Sequence, residues 1–366
     1  MLDYIRGYLI LCIVINHFLL FPSAWEFITG RGILWVSAAE GFFLMSGMMV
    51  GLVQGGRYRL SDSIKPVAKR ILDRSWKLYL TNFVLVLVFV FIAKDLGPVV
   101  GFDKIKPGLP EFTSLLLLAY KVATLQIVYG WADFLNYYVI FLLLSIPALW
   151  LLKQKMWYFV LALAVVGWFE PRLASFSFDN YYFYWQVYFF LGMVFGYHYY
   201  DIRNFYRKFS ITTKRIIEKV AIVTFIATLV LNWSMILATK TTAYGKNELF
   251  DSILRILANG YNMTEPYLYS ERSGVFRVIV FFVWAVGIYY IFKHFESLIA
   301  RNIDWLLGEF GRNSLRVYII SSFLALILPI LITSGGFVQN TIVTAGLLLL
   351  VVLILKIDLI KKIIPN

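Results

Sequence analysis

The chain has 366 residues, of which 60% are hydrophobic, 18% aromatic and only 15% charged. Soluble domains carry about 45–50% apolar and about 25% charged residues, so an excess of this size excludes a water-facing globule. With 34 Lys and Arg against 21 Asp and Glu the formal net charge is +13, which in a membrane chain is a topology signal rather than the footprint of a nucleic-acid partner.

At about 20 residues per helical crossing the chain has room for about ten crossings and no second core, so one integral-membrane domain over residues 1–366 is expected. In chain order the apolar runs suited to crossing are Tyr4 to Phe21, Ile33 to Val53, Trp76 to Ala93, Phe134 to Leu152 and Trp157 to Phe169. They continue with Trp185 to Tyr200, Val220 to Ala238, Val275 to Phe292, Leu315 to Thr333 and Thr341 to Ile360. The expected fold class is therefore all-α, a polytopic transmembrane helix bundle of about ten helices. Leu115 to Val128 is apolar but short and interrupted by Lys121, and it suits a re-entrant or interfacial helix. With that stretch not crossing, 23 of the 34 basic residues fall on the side of the N-terminus, and the positive-inside rule places both termini in the cytoplasm.

Arg6 ahead of an apolar run resembles a signal peptide, but no small-residue cleavage site follows His17, so the segment is expected to stay as the first helix. No internal repeat and no low-complexity linker is visible. Thr239 to Gly274 would face outward, with the character of a lid or acceptor-binding loop. The single Cys12 excludes an intramolecular disulfide and suits a small packed hydrophobe. No metal site is expected.

Ionisable groups inside spans are costly and mark functional cavities. The first helix carries Arg6 and His17, eleven residues apart, which is close to three turns and places both on one face about 16 Å apart. Glu40 would lie about 10 Å in from the outer end of the second helix, at a depth similar to that of His17. A carboxylate that accepts one imidazole N–H fixes the tautomer and leaves the other nitrogen free as a general base, as activation of a hydroxyl for acyl transfer requires. A purely structural His–Glu ion pair is the alternative.

Lys65, Lys69, Arg70 and Arg74 share the rim with Arg6 and could hold the phosphates of coenzyme A through charge-assisted contacts. The same residues would also serve as a topology determinant that touches anionic lipid. The aromatic run Phe176 to Trp185 suits an interfacial belt, with Trp185 and Gln186 the members best placed to point into a cavity. Asp133 either helps to bind an acceptor or caps a helix. Gly47 with Gly51, and Gly192 with Gly196, have the spacing of helix-packing pairs.

The opening Leu2-Asp3-Tyr4-Ile5-Arg6-Gly7, with ten residues between Arg6 and His17, resembles the signature of the membrane acyltransferase-3 superfamily. The run Ala38 to Gly47 is more specifically similar to the OpgC branch, the succinyltransferases of osmoregulated periplasmic glucans. Further matches in order are Arg74 with Leu78-Tyr79-Leu80, Leu135 with Tyr137-Tyr138, Tyr184-Trp185-Gln186, and Gly311 to Tyr318. The resemblance implies a bundle that takes an acyl group from cytoplasmic acyl-CoA, either succinyl-CoA or acetyl-CoA, and places it on a glycan hydroxyl at the outer face of a bacterial inner membrane. It implies His17 as the catalytic histidine and Arg6 as its motif partner, with Glu40 and Ser46 in the family's second-helix element; the reading of the residues themselves adds Glu40 as the group that assists His17, and Arg6, Lys69, Arg70 and Arg74 toward coenzyme A. Ser46, Asp133, Trp185, Gln186 and Tyr318 would be toward substrate. The partners it implies are acyl-CoA, the glycan acceptor and membrane lipid, with no permanently bound cofactor. Two departures stand out: Ser321 and Ser322 follow Tyr318 where many relatives carry a second histidine, and Arg70 and Arg74 are separated by three residues rather than two. Rival readings are a transporter, for which related halves are missing, a scaffold or sensor, and an acetyltransferase acting on a lipid-linked sugar.

Overall fold

The computed structural model describes residues 1–100, 114–127, 129–173, 184–241, 248–268, 274–332 and 335–363, and among these there is no strand. The first half comprises α1 (Leu2–Phe18), α2 (Glu26–Thr29), α3 (Ala38–Met49), α4 (Gly56–Arg59), α5 (Lys65–Val100), α6 (Leu115–Ala123), α7 (Asp133–Lys153), α8 (Trp157–Leu173) and α9 (Gln186–Tyr197). The second comprises α10 (Tyr199–Arg207), α11 (Ile211–Lys240), α12 (Glu248–Leu268), α13 (Val275–His294), α14 (Glu296–Asn302), α15 (Glu309–Arg312), α16 (Ser314–Leu331), α17 (Phe337–Lys356) and α18 (Asp358–Ile363). A π-helical turn over Val50–Gly55 joins α3 to α4, and a second over Asp304–Gly308 leads into α15.

Among the described residues five stretches are long and apolar enough to cross a membrane: Lys65–Lys94, Gly130–Lys153, Ile211–Lys240, Val275–His294 and Phe337–Lys356. The other expected crossings fall on shorter or interrupted helices. Thus α1 has 17 residues and α9 has 12, and α3 is followed by the π-helical turn. At nine residues α6 reaches about 13 Å, under half of the ~30 Å hydrocarbon core. It lays Leu118 and Val122 inward and leaves Leu115, Leu116 and Tyr120 exposed. The expected outward loop contains instead the helix α12, which packs along α11 and is followed from Gly274 by α13.

The bundle is organised around α1, whose Ile10, Val14 and Ile15 are fully or nearly fully buried and which packs against α3, α13, α15 and α16. Lipid tails are as apolar as leucine, so helix association here relies on close packing rather than on apolar burial. Gly47 and Gly51 of α3 and the following turn face Gly192 and Gly196 of α9. A Cβ on Gly47 would fall 1.8 Å from the Phe189 carbonyl oxygen, and one on Gly196 would fall 2.0 Å from that of Met48. The backbones therefore touch directly, as the spacing predicts. Gly7 does the same for α1, where a Cβ would meet the Leu307 carbonyl oxygen at 1.9 Å.

On the loop side of α15 the Arg312 guanidinium forms a fork on Asp304, with both N···O distances 3.1 Å, and reaches Glu309 at 3.2 Å. The Arg312 hydrogen bond holds the Asp304 carboxyl below its usual value.

Gly47→Leu should therefore disrupt the α3–α9 contact at a cost of about 1–3 kcal/mol or more, whereas Gly346→Ala in α17, where a Cβ meets nothing within 4 Å, should be neutral or mildly stabilising. Thermal unfolding of the solubilised protein separates the two. Because the folded-state Asp304 carboxyl titrates below its unfolded value, its contribution is present above the ordinary carboxylate range and is lost as pH falls through the folded value. Asp304→Asn should accordingly flatten part of the acid-side decline in thermal midpoint, by well under about 1 kcal/mol at this half-exposed site.

Candidate active site

His17 sits in the last turn of α1, where the chain leaves the helix through Leu19 in the left-handed region. Its imidazole lies flat against the indole of Trp131, with ring centroids 4.1 Å apart and planes within 14°. Tyr318 of α16 meets it edge-on at 5.8 Å and donates a hydrogen bond from its hydroxyl to the Trp131 carbonyl. Trp131 is delivered by a short 3₁₀ turn that begins at Gly130. That glycine has φ +72°, and a Cβ there would fall 2.3 Å from the Phe89 ring, so both conformation and space demand glycine. The indole and the phenol thus fix the plane of the imidazole on two sides. Ser321 and Ser322, which follow Tyr318, donate back to its carbonyl within α16.

The hydrogen bonds of Glu40 go to residues other than His17. Its carboxylate is 2% exposed and its partners are elsewhere. Oε2 accepts the Ser37 backbone N–H at 2.8 Å in a capping box, while Oε1 accepts from Arg277 Nε of α13 at 2.5 Å and from the Tyr188 hydroxyl of α9 at 3.4 Å. Arg277 in turn donates to the Leu268 carbonyl at 2.9 Å. Depth along a helix says nothing about azimuth, so a shared level does not by itself place two side chains on facing sides. Arg277 was discoverable, since it lies two residues into an apolar span, where a cation requires a partner.

Arg6 donates to the Ser314 hydroxyl at 2.7 Å at the start of α16 and lies 3.8 Å from Asp3. With Ser46, Gln54, Arg70, Arg74 and Tyr138 it lines a cavity of about 120 Å³. Arg74 donates to the Tyr138 hydroxyl at 3.2 Å. The cavity gathers three cations against hydroxyl and amide groups, a donor set suited to phosphate or another anion. Arg6, Arg70 and Arg74 are thus brought together as expected. Ser46, expected toward substrate, lines the same cavity, and Lys69 is exposed and does not line it.

An aromatic wall connects the two centres. Phe134 lies 5.2 Å from Tyr318 and 4.5 Å from Phe43, and Phe43 stacks on Trp185 at 5.1 Å. Tyr138, at the cavity, meets Phe42 and Phe43 edge-on, both at 6.5 Å. Trp185 is therefore part of packing around α3. Gln186 is buried and donates to the Ala164 carbonyl of α8 at 2.6 Å, which ties two helices together. Asp133 opens α7, and its side chain lies outside the described residues, as does most of the aromatic run, residues 176–183. Trp131, Tyr138, Tyr188 and Ser314 were not singled out as site residues from sequence, although the last lies in the Ser-x-x-x-Tyr run that ends at Tyr318. Among the described residues no cluster suited to a metal ion is present.

Removing one member of the buried Glu40–Arg277 pair leaves the other charge uncompensated, so Arg277→Met or Glu40→Gln should lower stability by about 3–5 kcal/mol. The double variant should recover part of that loss, which a double-mutant cycle on thermal unfolding reads directly.

A family model described as OpgC protein matches residues 1–361, nearly the whole chain and all of the residues that build both centres. No curated protein and no solved structure matches. On that match, in which the aromatic cradle of His17 and the cationic cavity of Arg6 lie within one family-wide unit, the chain belongs to the OpgC family.

Proposed function

We propose that this protein is a membrane O-acyltransferase that moves a succinyl or acetyl group from acyl-CoA to a hydroxyl of a glucan or related glycan on the far side of the membrane. Membership of the OpgC family supports the glucan reading. The observation that carries the mechanism is that one buried helix, α1, presents His17 in an aromatic cradle at one end and Arg6 in a cationic cavity about 16 Å away at the other. In this reading the chain crosses the membrane about ten times with both termini in the cytoplasm of a bacterial inner membrane, which puts the cationic cavity on the donor side.

In the reaction the imidazole of His17 takes the proton from the acceptor hydroxyl as its oxygen attacks the thioester carbonyl carbon. Collapse of the tetrahedral intermediate breaks the C–S bond, and the departing coenzyme A thiolate takes up the proton held by His17. Trp131 and Tyr318 hold the imidazole plane so that little orientation is lost when the hydroxyl arrives. Arg6, Arg70 and Arg74 hold the anionic portion of the donor.

His17→Gln should lower acyl transfer by about 10²–10⁴-fold while leaving insertion and thermal stability close to wild type. Arg74→Gln should act mainly through KM for acyl-CoA, because it removes a donor contact and not the base. Mass spectrometry of glycans from cells carrying each variant, with kinetics on the purified protein, checks both. Normal acylation by the His17 variant refutes the mechanism.

A further inference from the structure

A second cavity belongs to neither centre. It is a groove of about 680 Å³ between α1, α3, α9, α10 and α13, and its walls are almost wholly apolar, with Leu44, Met45, Met48 and Phe282 among them. Its lining runs along α3 from Ala38 to Met48 and along α13 from Phe281 to Lys293. Those segments extend about 15–18 Å at 1.5 Å per residue, close to half of the ~30 Å hydrocarbon core and so to the depth of a single leaflet.

One end of the groove differs from the rest. Arg203 and Arg207 of α10 and Lys293 of α13 line it there, beside Leu2 at the start of α1. All three cations are exposed, and none takes part in an ion pair among the described residues. The nearby Glu296 carboxylate is held by the N-terminal ammonium at 2.8 Å. The Tyr206 and Tyr290 hydroxyls, 3.2 Å apart, add hydrogen-bonding groups at the same end. On the open side Phe195, Ile202, Val286 and Tyr289 are all well exposed. An apolar slot one leaflet deep, with tyrosines and three cations that have no carboxylate partner among the described residues at its mouth, Lys293 resting over the Tyr290 ring, is complementary to an amphiphile with an anionic head and a long acyl chain.

We propose that this groove is a binding site for one anionic glycerophospholipid of the surrounding membrane, its acyl chain laid along α3 and α13 and its phosphate held by Arg203, Arg207 and Lys293. The site lies on a different face of α1 from Arg6 and His17, and it does not depend on the acyltransferase reading. Successive residues turn by about 100°, which sets Leu2, Ile5, Leu9 and Cys12 roughly a quarter turn from the Arg6–His17 face.

Native mass spectrometry of the full-length protein, given equal amounts of dioleoyl phosphatidylglycerol and dioleoyl phosphatidylcholine, tests this. Wild type should retain one phosphatidylglycerol under conditions that strip phosphatidylcholine. Arg203→Gln/Arg207→Gln/Lys293→Gln should weaken that retention by about tenfold or more, whereas Lys208→Gln/Arg215→Gln/Lys219→Gln, with the same change of charge away from the groove, should not. Ala285→Trp, which fills the groove without changing charge, should exclude both lipids, and it keeps the test decisive if the triple variant fails to fold. Equal retention of the two lipids by wild type overturns the proposal, as does an equal loss in the control triple. Displacement of phosphatidylglycerol by acyl-CoA would assign the groove to the donor, and a lipid-free dimer would assign it to a second copy; either outcome also overturns it.

Discussion

A carboxylate and a guanidinium that meet at 2.5 Å, both nearly inaccessible to water, set the terms for the rest of this bundle. Neither charge could stay inside an apolar protein alone, because the desolvation of an isolated ion exceeds what packing returns. The Glu40–Arg277 pair therefore obliges α3 and α13 to be neighbours, and Tyr188 extends the obligation to α9. Glu40 also closes the capping box at Ser37, so the same side chain decides where α3 begins and which helices it faces. The glycine contacts between α3 and α9 then fix how closely the two can approach.

With α3 placed in this way, α1 is enclosed on most sides, and the two chemical centres become properties of its ends. At one end Arg6 reaches α16 through Ser314, and at the other His17 reaches α16 through Tyr318. The short Ser-x-x-x-Tyr run thereby touches both centres, since an arginine and a tyrosine are each long enough to bridge several ångströms. An aromatic wall runs between them from Tyr138 through Phe42, Phe43 and Phe134 to Tyr318.

How much of this was legible in the sequence depends on the range of the interaction involved. Helical character, the common face of Arg6 and His17, and the packing role of the glycine pairs follow from composition and from a period of 3.6, and all are local properties. The convergence of Arg70 and Arg74 with Arg6 was also legible, since the charge distribution had put them at one rim. The partner of Glu40 was not, because Arg277 is 237 positions away and only tertiary topology chooses between it and His17. Trp131 was missed for a different reason: it stands in a three-residue turn, where no periodicity marks which way a side chain faces. Ten crossings were expected from apolar runs, and five stretches among the described residues have the length and hydropathy of a membrane span.

The enclosure of α1 has a consequence for how this chain can vary. Gly7 rests on the Leu307 carbonyl and Gly311 rests on that of Asp3, so the N-terminal half of α1 is locked against α15 in both translation and rotation. Whatever happens between Arg6 and His17 must then be absorbed at the His17 end. One inserted residue would lengthen the helix by only about 1.5 Å but swing the imidazole by about 100°, away from Trp131 and Tyr318. The ten-residue interval is thus a condition of phase more than of distance, and substitutions within it are tolerated on quite different terms from insertions or deletions.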